Sequence, residues 1–457
     1  MSIDFPKNWK QVVLEDALDA LIDYRGKTPK KVDKGIPLIT AKVVKSGRIL
    51  PMDEFIADED YESWMVRGIP QISDIVVTTE APLGEVAQIK NANVALAQRI
   101  VTLRGKVDFL ENDFLLFLMQ SDFVQNQLEA RATGSTVKGI KQSELRKIIL
   151  PIPPIVEQKC IGKILSDLDD KIHLNNQINQ TLESIAQAIF KSWFIDFDPV
   201  RAKITAKQEG KDTELAAMCA ISSKSEVEIQ QMSDDDFTEL QATAALFPDE
   251  LVESELGEVP KGWEVGKLQE VIDLNPRRTL KKDSLAPYLD MKNVRTQGHL
   301  VDEVILRNMT SGTKFINGDT LLARITPCLE NGKTAYVDFL LDNEVGWGST
   351  EFIVLRPKEH LPTALGYFIA RQENFRTLAI QSMTGTSGRQ RANADTLANQ
   401  SWLIYPADLM IVFDKYAGKY LTHIKNNGLQ NGILKNIRDA LLPKLLSGEL
   451  DATLLKK

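Results

Sequence analysis

The chain has 457 residues, 43% of them hydrophobic and 26% charged, with a formal net charge of −8. That length favours about three domains over one core, and the composition is ordinary for a soluble globular protein. No apolar run reaches the roughly 18 residues of a membrane span. The start Met1–Pro6 has no secretory leader, and the scattered Cys160, Cys219 and Cys328 give no disulfide framework, so a cytoplasmic protein is expected.

In chain order, a first unit spans residues 1–154 and opens on Phe5-Pro-Lys-Asn-Trp9. Residues 25–48 are basic: Arg25, Lys27, Lys30, Lys31, Lys34, Lys42, Lys45 and Arg48 stand against Asp33 alone. The β-branched runs Ser73–Thr79 and Gln98–Leu103 predict strands, with Pro82 breaking the chain between them. Phe114–Met119, Phe123, Gln127 and Leu128 predict a helix. A polar loop, Thr133-Gly134-Ser135-Thr136 with Lys138, precedes the proline-ended strand Ile148–Pro153.

A long helix is predicted over residues 155–196. Leu168, Ile172, Asn175, Ile178, Leu182, Ile185 and Ile189 step by three or four, close to a heptad seam. At 1.5 Å per residue the helix would be on the order of 58 Å long. Residues 197–258 hold 5 Lys/Arg and 15 Asp/Glu and read as an acidic linker segment. Its net −10 leaves the remainder of the chain at +2, so the overall charge does not speak against nucleic acid.

The second unit, 259–408, repeats the first at an offset of 245 to 254 residues. Val259-Pro-Lys-Gly-Trp263 matches the opening, and 275–298 is again basic, with Arg277, Arg278, Lys281, Lys282, Lys292 and Arg295. Gly318–Leu322, Glu351–Leu355 and the helix at Leu365–Ile369 follow, with Pro327 in the place of Pro82. Thr384-Gly-Thr-Ser-Gly-Arg-Gln-Arg391 and Trp402–Pro406 match the first loop and closing strand. A second long helix follows over 409–450, with Tyr416, Tyr420, His423, Asn427, Leu434 and Leu441 as a weaker stripe, and then a tail, 451–457. Gly418, Gly428 and Gly432 each cost up to about 1 kcal/mol there, and Pro443 is expected to kink or end the helix.

A repeat this long is no solenoid. The reading is an α+β chain: two tandem α/β domains, each followed by a long helix. The two helices would pair as an antiparallel coiled coil with pseudo-twofold symmetry. Each stripe by itself also fits an ordinary core helix. Asn175 or Asn176 opposite Asn426 or Asn427 would set the register, or would face water.

No Walker A loop, dinucleotide fingerprint, metal-ligand spacing or base-gripping Asn/Asp-Pro-Pro-Tyr/Phe occurs, and Gly346-Trp-Gly348 is a lone Gly-x-Gly. No catalytic residue, metal site or bound cofactor is therefore expected. The recurring feature is the basic segment. Lys and Arg neutralise phosphates, and Arg reads base edges. One such run fits a solvated loop; two at matching places favour binding. Thr133, Gly134, Ser135 and Lys138 on one side, and Arg324, Arg389 and Arg391 on the other, extend the candidate surface through glycine-bearing loops whose N–H groups can meet phosphate. Simple tight turns are the alternative.

Together these features resemble the specificity subunit of type I restriction–modification enzymes. The resemblance is carried by Pro6–Trp9 and Pro260–Trp263, the loop at Thr133, Leu150-Pro-Ile-Pro-Pro-Ile-Val-Glu-Gln158, Ile164–Ile172, Phe197-Asp-Pro-Val-Arg-Ala-Lys203, Phe247–Leu251, Ser254–Gly257 and Leu445-Leu-Ser-Gly-Glu-Leu450. The extended loop at Thr384 and the glycine-broken second helix depart from that pattern. It implies two target-recognition domains, each reading half of a split site in double-stranded DNA. The paired helices would serve as spacer and platform for two modification subunits, which use S-adenosylmethionine to methylate adenine. Two restriction/motor subunits using ATP and Mg2+ would complete the complex. A stand-alone two-headed DNA-binding regulator is the alternative; it would need no partner platform.

Overall fold

The computed structural model describes residues 5–134, 136–386 and 388–455. The chain divides into two units, Met1–Leu174 with Asn431–Lys457, and Asn175–Gln430. The long helices, Ile155–Phe194 and Ala407–Ser447, contribute residues to both.

The first unit is built on a four-stranded antiparallel sheet in the order Leu18–Asp23, Ile100–Gly105, Ile75–Thr79, Leu83–Gln88. Every residue of Ile75–Thr79 is buried, because both faces are covered. Ile75 and Val77 pack on the helices Asn112–Gln120 and Asp122–Arg131, on Ile161 and Leu165 of the first long helix, and on Leu445 and Leu446 of the second. Val76 points the other way, toward Leu38, Ile39, Ile56 and Leu96 of a small sheet with one parallel pairing, Ile36–Ile39 with Ala95–Leu96. The helix expected from Phe114 through Leu128 is two helices. Ser121 separates them, its hydroxyl accepting from Val124 N at 3.4 Å, as serine favours at a helix start.

The second unit repeats this wiring. Its antiparallel sheet runs Ile272–Leu274, Phe352–Pro357, Thr320–Ala323, Thr334–Tyr336, and its smaller sheet again has one parallel pairing, Leu285–Leu289 with Gly346–Gly348. Each domain is closed by its entry strand pairing with its exit strand, Lys10–Val13 with Ile149–Ile152 and Glu264–Lys267 with Ser401–Ile404. The entry tryptophans have matching roles. A Cβ on Gly448 would lie 2.2 Å from Pro6 and 3.3 Å from Trp9. Trp263 packs edge-on against Phe197 at 5.7 Å and near Phe194 at 6.1 Å. Each tryptophan thus meets the end of the long helix that does not follow its own domain.

In each unit the two helices run antiparallel. In the first, Arg438 Nη1 donates to Asp169 Oδ1 at 2.8 Å. In the second, Asn175 Nδ2 donates to Gln430 Oε1 at 2.7 Å, and Asn427 Nδ2 to Asn179 Oδ1 at 2.8 Å. The register therefore differs from the expected one by a turn: the partner of Asn427 is Asn179, not Asn175 or Asn176. The seam is also more polar than the apolar stripe suggested. Ile172, Asn175, Asn179, Glu183, Ala186 and Phe190 are buried, whereas Ile185 is 40% exposed. Leu168, Ile178, Leu182 and Ile189 are half-buried. On the second helix Phe413, Ala417, Leu421, Ile424 and Asn431 are buried. Tyr416, Tyr420, Asn427, Leu434 and Leu441 are half-buried and His423 is exposed. Pro443 does not end this helix, which continues to Ser447. Burial of Leu445 and Leu446 holds its last turns in place of the lost N–H bond.

Glu183 ties the first helix to the second domain. Tyr367 Oη donates to Glu183 Oε1 at 2.5 Å, and Arg371 Nε donates to Tyr367 Oη at 3.0 Å. His299, fully buried, contacts Asp338 at 3.2 Å and stands 3.9 Å from Glu183. Burial alone would push the imidazole down, but the hydrogen bond to Asp338 and the two negative charges outweigh it and raise its pKa. Burial would raise the Glu183 carboxyl, yet His299, Tyr367 and Gln187 hold it below its usual value.

The acidic segment is folded rather than extended. It forms helices Asp198–Gln208, Thr213–Ser222, Glu226–Gln230 and Asp234–Ala245, with Ala217, Met218, Ile229, Leu240 and Ala244 in a small core. Its acidic runs are helix starts. Ser225 and Glu228 form a capping box, and Ser233 caps the helix whose first turn is Asp234-Asp235-Asp236. Negative charge there is stabilised by the positive end of the helix dipole.

Candidate nucleic-acid interface

In the first domain the basic segment meets the glycine loop. The loop is a hairpin in which Thr133 and Gly139 exchange hydrogen bonds of 2.8 and 2.9 Å, and Ile140 N donates to Thr79 O at 2.9 Å. It docks where the Ile75–Thr79 strand ends, just before the cis bond Ala81–Pro82. Gly134 has φ +109, and a Cβ there would lie 2.2 Å from Val137 O, so the turn requires glycine. Arg25 Nη1 donates to Ile140 O at 2.7 Å and Nη2 pairs with Asp23 at 2.8 Å. Arg25 is thus the staple between segment and loop.

The second domain repeats the loop's pairing and docking. Thr384 and Arg391 exchange hydrogen bonds of 3.0 and 2.9 Å, and Ala392 N donates to Arg324 O at 2.8 Å, just before the cis bond Thr326–Pro327. The Arg391 guanidinium forks onto Glu351 at 2.7 to 3.0 Å. In the first domain the residue matching Glu351 is Arg99, which pairs at 2.9 Å with Glu80, on the strand side of the loop rather than on the loop itself.

The candidate cations fall into two groups. Several are engaged within the protein: Lys31 with Glu54 and Lys42 with Asp53, at 2.8 and 2.7 Å, Lys138 with Glu129, Arg295 with Asp302 at 2.7 Å, and Arg278 with Asp319 at 3.0 Å. Arg48 turns to Asp170 on the first long helix at 2.8 Å and so serves packing. Lys27, Lys30, Lys45, Arg277, Lys281, Lys282, Lys292, Arg324 and Arg389 form no ion pair among the described residues, and all but the half-buried Arg324 are exposed. Thr133 is exposed at its loop; Ser135 lies outside the described residues.

Sequence reasoning missed the buried carboxylate that anchors an inner strand in each domain. Asp74 is fully buried and accepts from Arg104 at 2.8 and 2.7 Å and from Gln71 N at 2.8 Å. Its repeat, Asp319, accepts from Arg356 at 3.3 Å, Arg278 at 3.0 Å and Ile316 N at 2.9 Å. The signal was present: both aspartates open a matching strand, and both arginines sit late in the neighbouring one. Also missed was Trp347, whose flanking glycines had been discounted. A Cβ on Gly346 would strike Phe315 at 2.4 Å, and one on Gly348 would lie 2.5 Å from Leu289 O. Those gaps let Trp347 pack beside Tyr288, with Arg307 over the Tyr288 ring at 4.9 Å.

The fold and its surface define a duplicated α/β recognition module on a helix pair. A family model described as the type I restriction modification DNA specificity domain matches the chain twice, over residues 6–184 and 260–437. The chain belongs to this family. The specificity subunit of the type I restriction enzyme HindI of Haemophilus influenzae is 28% identical over 375 residues, 78% of this chain and 82% of that one. The MjaIX specificity subunit of Methanocaldococcus jannaschii is 24% identical over 465 residues, covering 97% and 94%. The S subunit structure from M. genitalium shares the fold, with a TM-score of 0.55 at 15% identity over 97% of this chain and 98% of that one.

Proposed function

We propose that this chain is the DNA-specificity subunit of a type I restriction–modification complex and performs no chemistry itself. The observation that carries the reading is the duplication: two copies of the family's DNA specificity domain, each with exposed cations that form no ion pair among the described residues. Each domain reads one half of a bipartite duplex site. Phosphate contacts set its position and base-edge contacts set its sequence. The paired helices offer a platform for two modification subunits, which carry S-adenosylmethionine and methylate adenine in each half-site. Restriction/motor subunits supply ATP- and Mg2+-dependent cleavage. No helix of the described residues is long and apolar enough to cross a membrane, and the complex works on DNA in the cytoplasm.

The test is a map of methylated adenines in a host expressing the chain with its neighbouring modification subunit. A split motif with one methylated adenine in each half is expected. A continuous motif, or none while the modification subunit is active with another specificity subunit, would sink the reading.

A further inference from the structure

The second domain contains a polar recess of about 280 Å³ bordered by Asn275, Lys314, Arg324 and Thr350 and floored by Phe352. Its charge balance is positive. Lys314 and Arg324 form no ion pair among the described residues, and Arg324 Nε is buried there without a hydrogen-bond partner. The carboxylates close in sequence to the recess are already neutralised, Asp319 by Arg278 and Arg356, and Glu351 by the fork of Arg391. The Arg324 main chain is fixed at both ends: its N–H donates to Glu351 O at 2.9 Å and its carbonyl accepts from Ala392 N at 2.8 Å. An arginine on a fixed main chain, with a buried N–H left without a partner beside a recess, calls for an anionic acceptor.

We propose that this recess seats one phosphate of the nucleic-acid backbone, a contact built into the second domain only. The proposal rests on the DNA-specificity reading and deepens it. Phosphate fits better than a base, because Phe352 is 2% exposed and offers no face for stacking. The duplication supplies an internal control. Aligning the strands on Asp74 and Asp319 places Thr79 opposite Arg324, and Ile69 opposite Lys314. The first domain therefore has no charge at either position. The two half-sites would differ in how salt-sensitive their binding is.

The experiment uses the full chain with its modification subunits and two duplexes, one carrying the methylated motif and one unrelated. Binding is measured against salt concentration. Replacing Lys314→Gln and Arg324→Gln together should flatten the plot of log affinity against log salt by about 1, equally on both duplexes. Arg324→Lys should restore it. The half-exposed Lys314→Gln alone should give a smaller change in the same direction, which keeps the test usable where Arg324→Gln fails to fold. An unchanged slope in variants that bind DNA overturns the phosphate seat and leaves the specificity reading intact. A loss confined to the motif duplex also overturns it, since the recess then reads bases. Inorganic phosphate titrated calorimetrically distinguishes the source. Phosphate uptake lost in the double variant while the DNA slope is unchanged marks a free-anion site and overturns the proposal. Failure of the unmodified complex to bind either duplex sinks both readings.

Discussion

Arg104 closes a two-pronged hydrogen bond on the fully buried carboxylate of Asp74, and Arg356 meets Asp319 in the same place one domain later. The side chains are 30 residues apart in the first domain and 37 in the second. Each pair locks the turn that begins an inner strand. A buried carboxylate whose partner is removed keeps its desolvation penalty and loses its compensation. Arg104→Met should therefore destabilise the protein by about 3 kcal/mol, the lower end of the usual range, because Arg104 is itself 18% exposed. Urea unfolding checks this; a change under about 1 kcal/mol would mean that water replaces the guanidinium.

The unpaired cations should govern affinity, and the stapled ones stability. Lys281→Gln with Lys282→Gln should flatten the salt dependence of DNA binding by about 2 and leave melting unchanged. Arg25→Ala removes the hydrogen bond to Ile140 O and the pair with Asp23. It should lower stability by about 2 kcal/mol. Anisotropy titrations read alongside thermal melts separate the two effects, and a melting loss in the lysine variant would contradict the division.

Asn179 and Asn427 form one unit. Asn179→Leu alone strands the Asn427 amide in the seam and should cost about 1 to 3 kcal/mol. Adding Asn427→Leu should recover most of that loss, giving a favourable coupling in a double-mutant cycle. Additive losses would show that the two amides act separately.

The cluster at Glu183 makes stability depend on pH. The His299 pKa is raised, so its contribution is fully present below the ordinary value of 6.5 and fades as pH rises through the folded-state value. The Glu183 pKa is lowered, so its contribution is present above the ordinary 4.5 and fades as pH falls through the folded-state value. The stability difference between the unaltered chain and His299→Gln should be larger at about pH 5.5 than at about pH 8.5. Chemical denaturation at both pH values is the measurement; an equal difference would show that folding leaves the His299 pKa unshifted, and a smaller one at the lower pH that His299 is held neutral.

The duplication was legible because its markers are rigid local features: the tryptophan openings, Pro82 and Pro327, and the glycine turns at Thr133 and Thr384. Inner strands were legible from β-branched runs. The helix seam departs from the expected stripe beyond Asn175 because the residues that fill it there, Asn179 and Glu183, are polar. An apolar stripe therefore drew Ile185 inward, where the structure leaves it exposed. The acidic helices were read as linker because charge dominated, although Ser225 with Glu228 and Ser233 with Asp236 are cap signatures. Among the cations, nothing local separated Arg278 from Lys281, because its partner, Asp319, is distant in sequence. Asp23, two residues before Arg25, was a local cue that Arg25 is engaged, while its other partner, Ile140, is distant.

Leu445, Leu446 and Ala452 lie in one core with Trp9, Leu14, Phe114 and Leu165. The domain that emerges first from the ribosome therefore lacks part of its interior until the rest of the chain has been translated. In the meantime it presents an open apolar face, while the second domain, finished by a helix already made, can close as soon as residues 407–430 appear. A premature stop near residue 440 should thus damage the oldest part of the nascent protein rather than the newest.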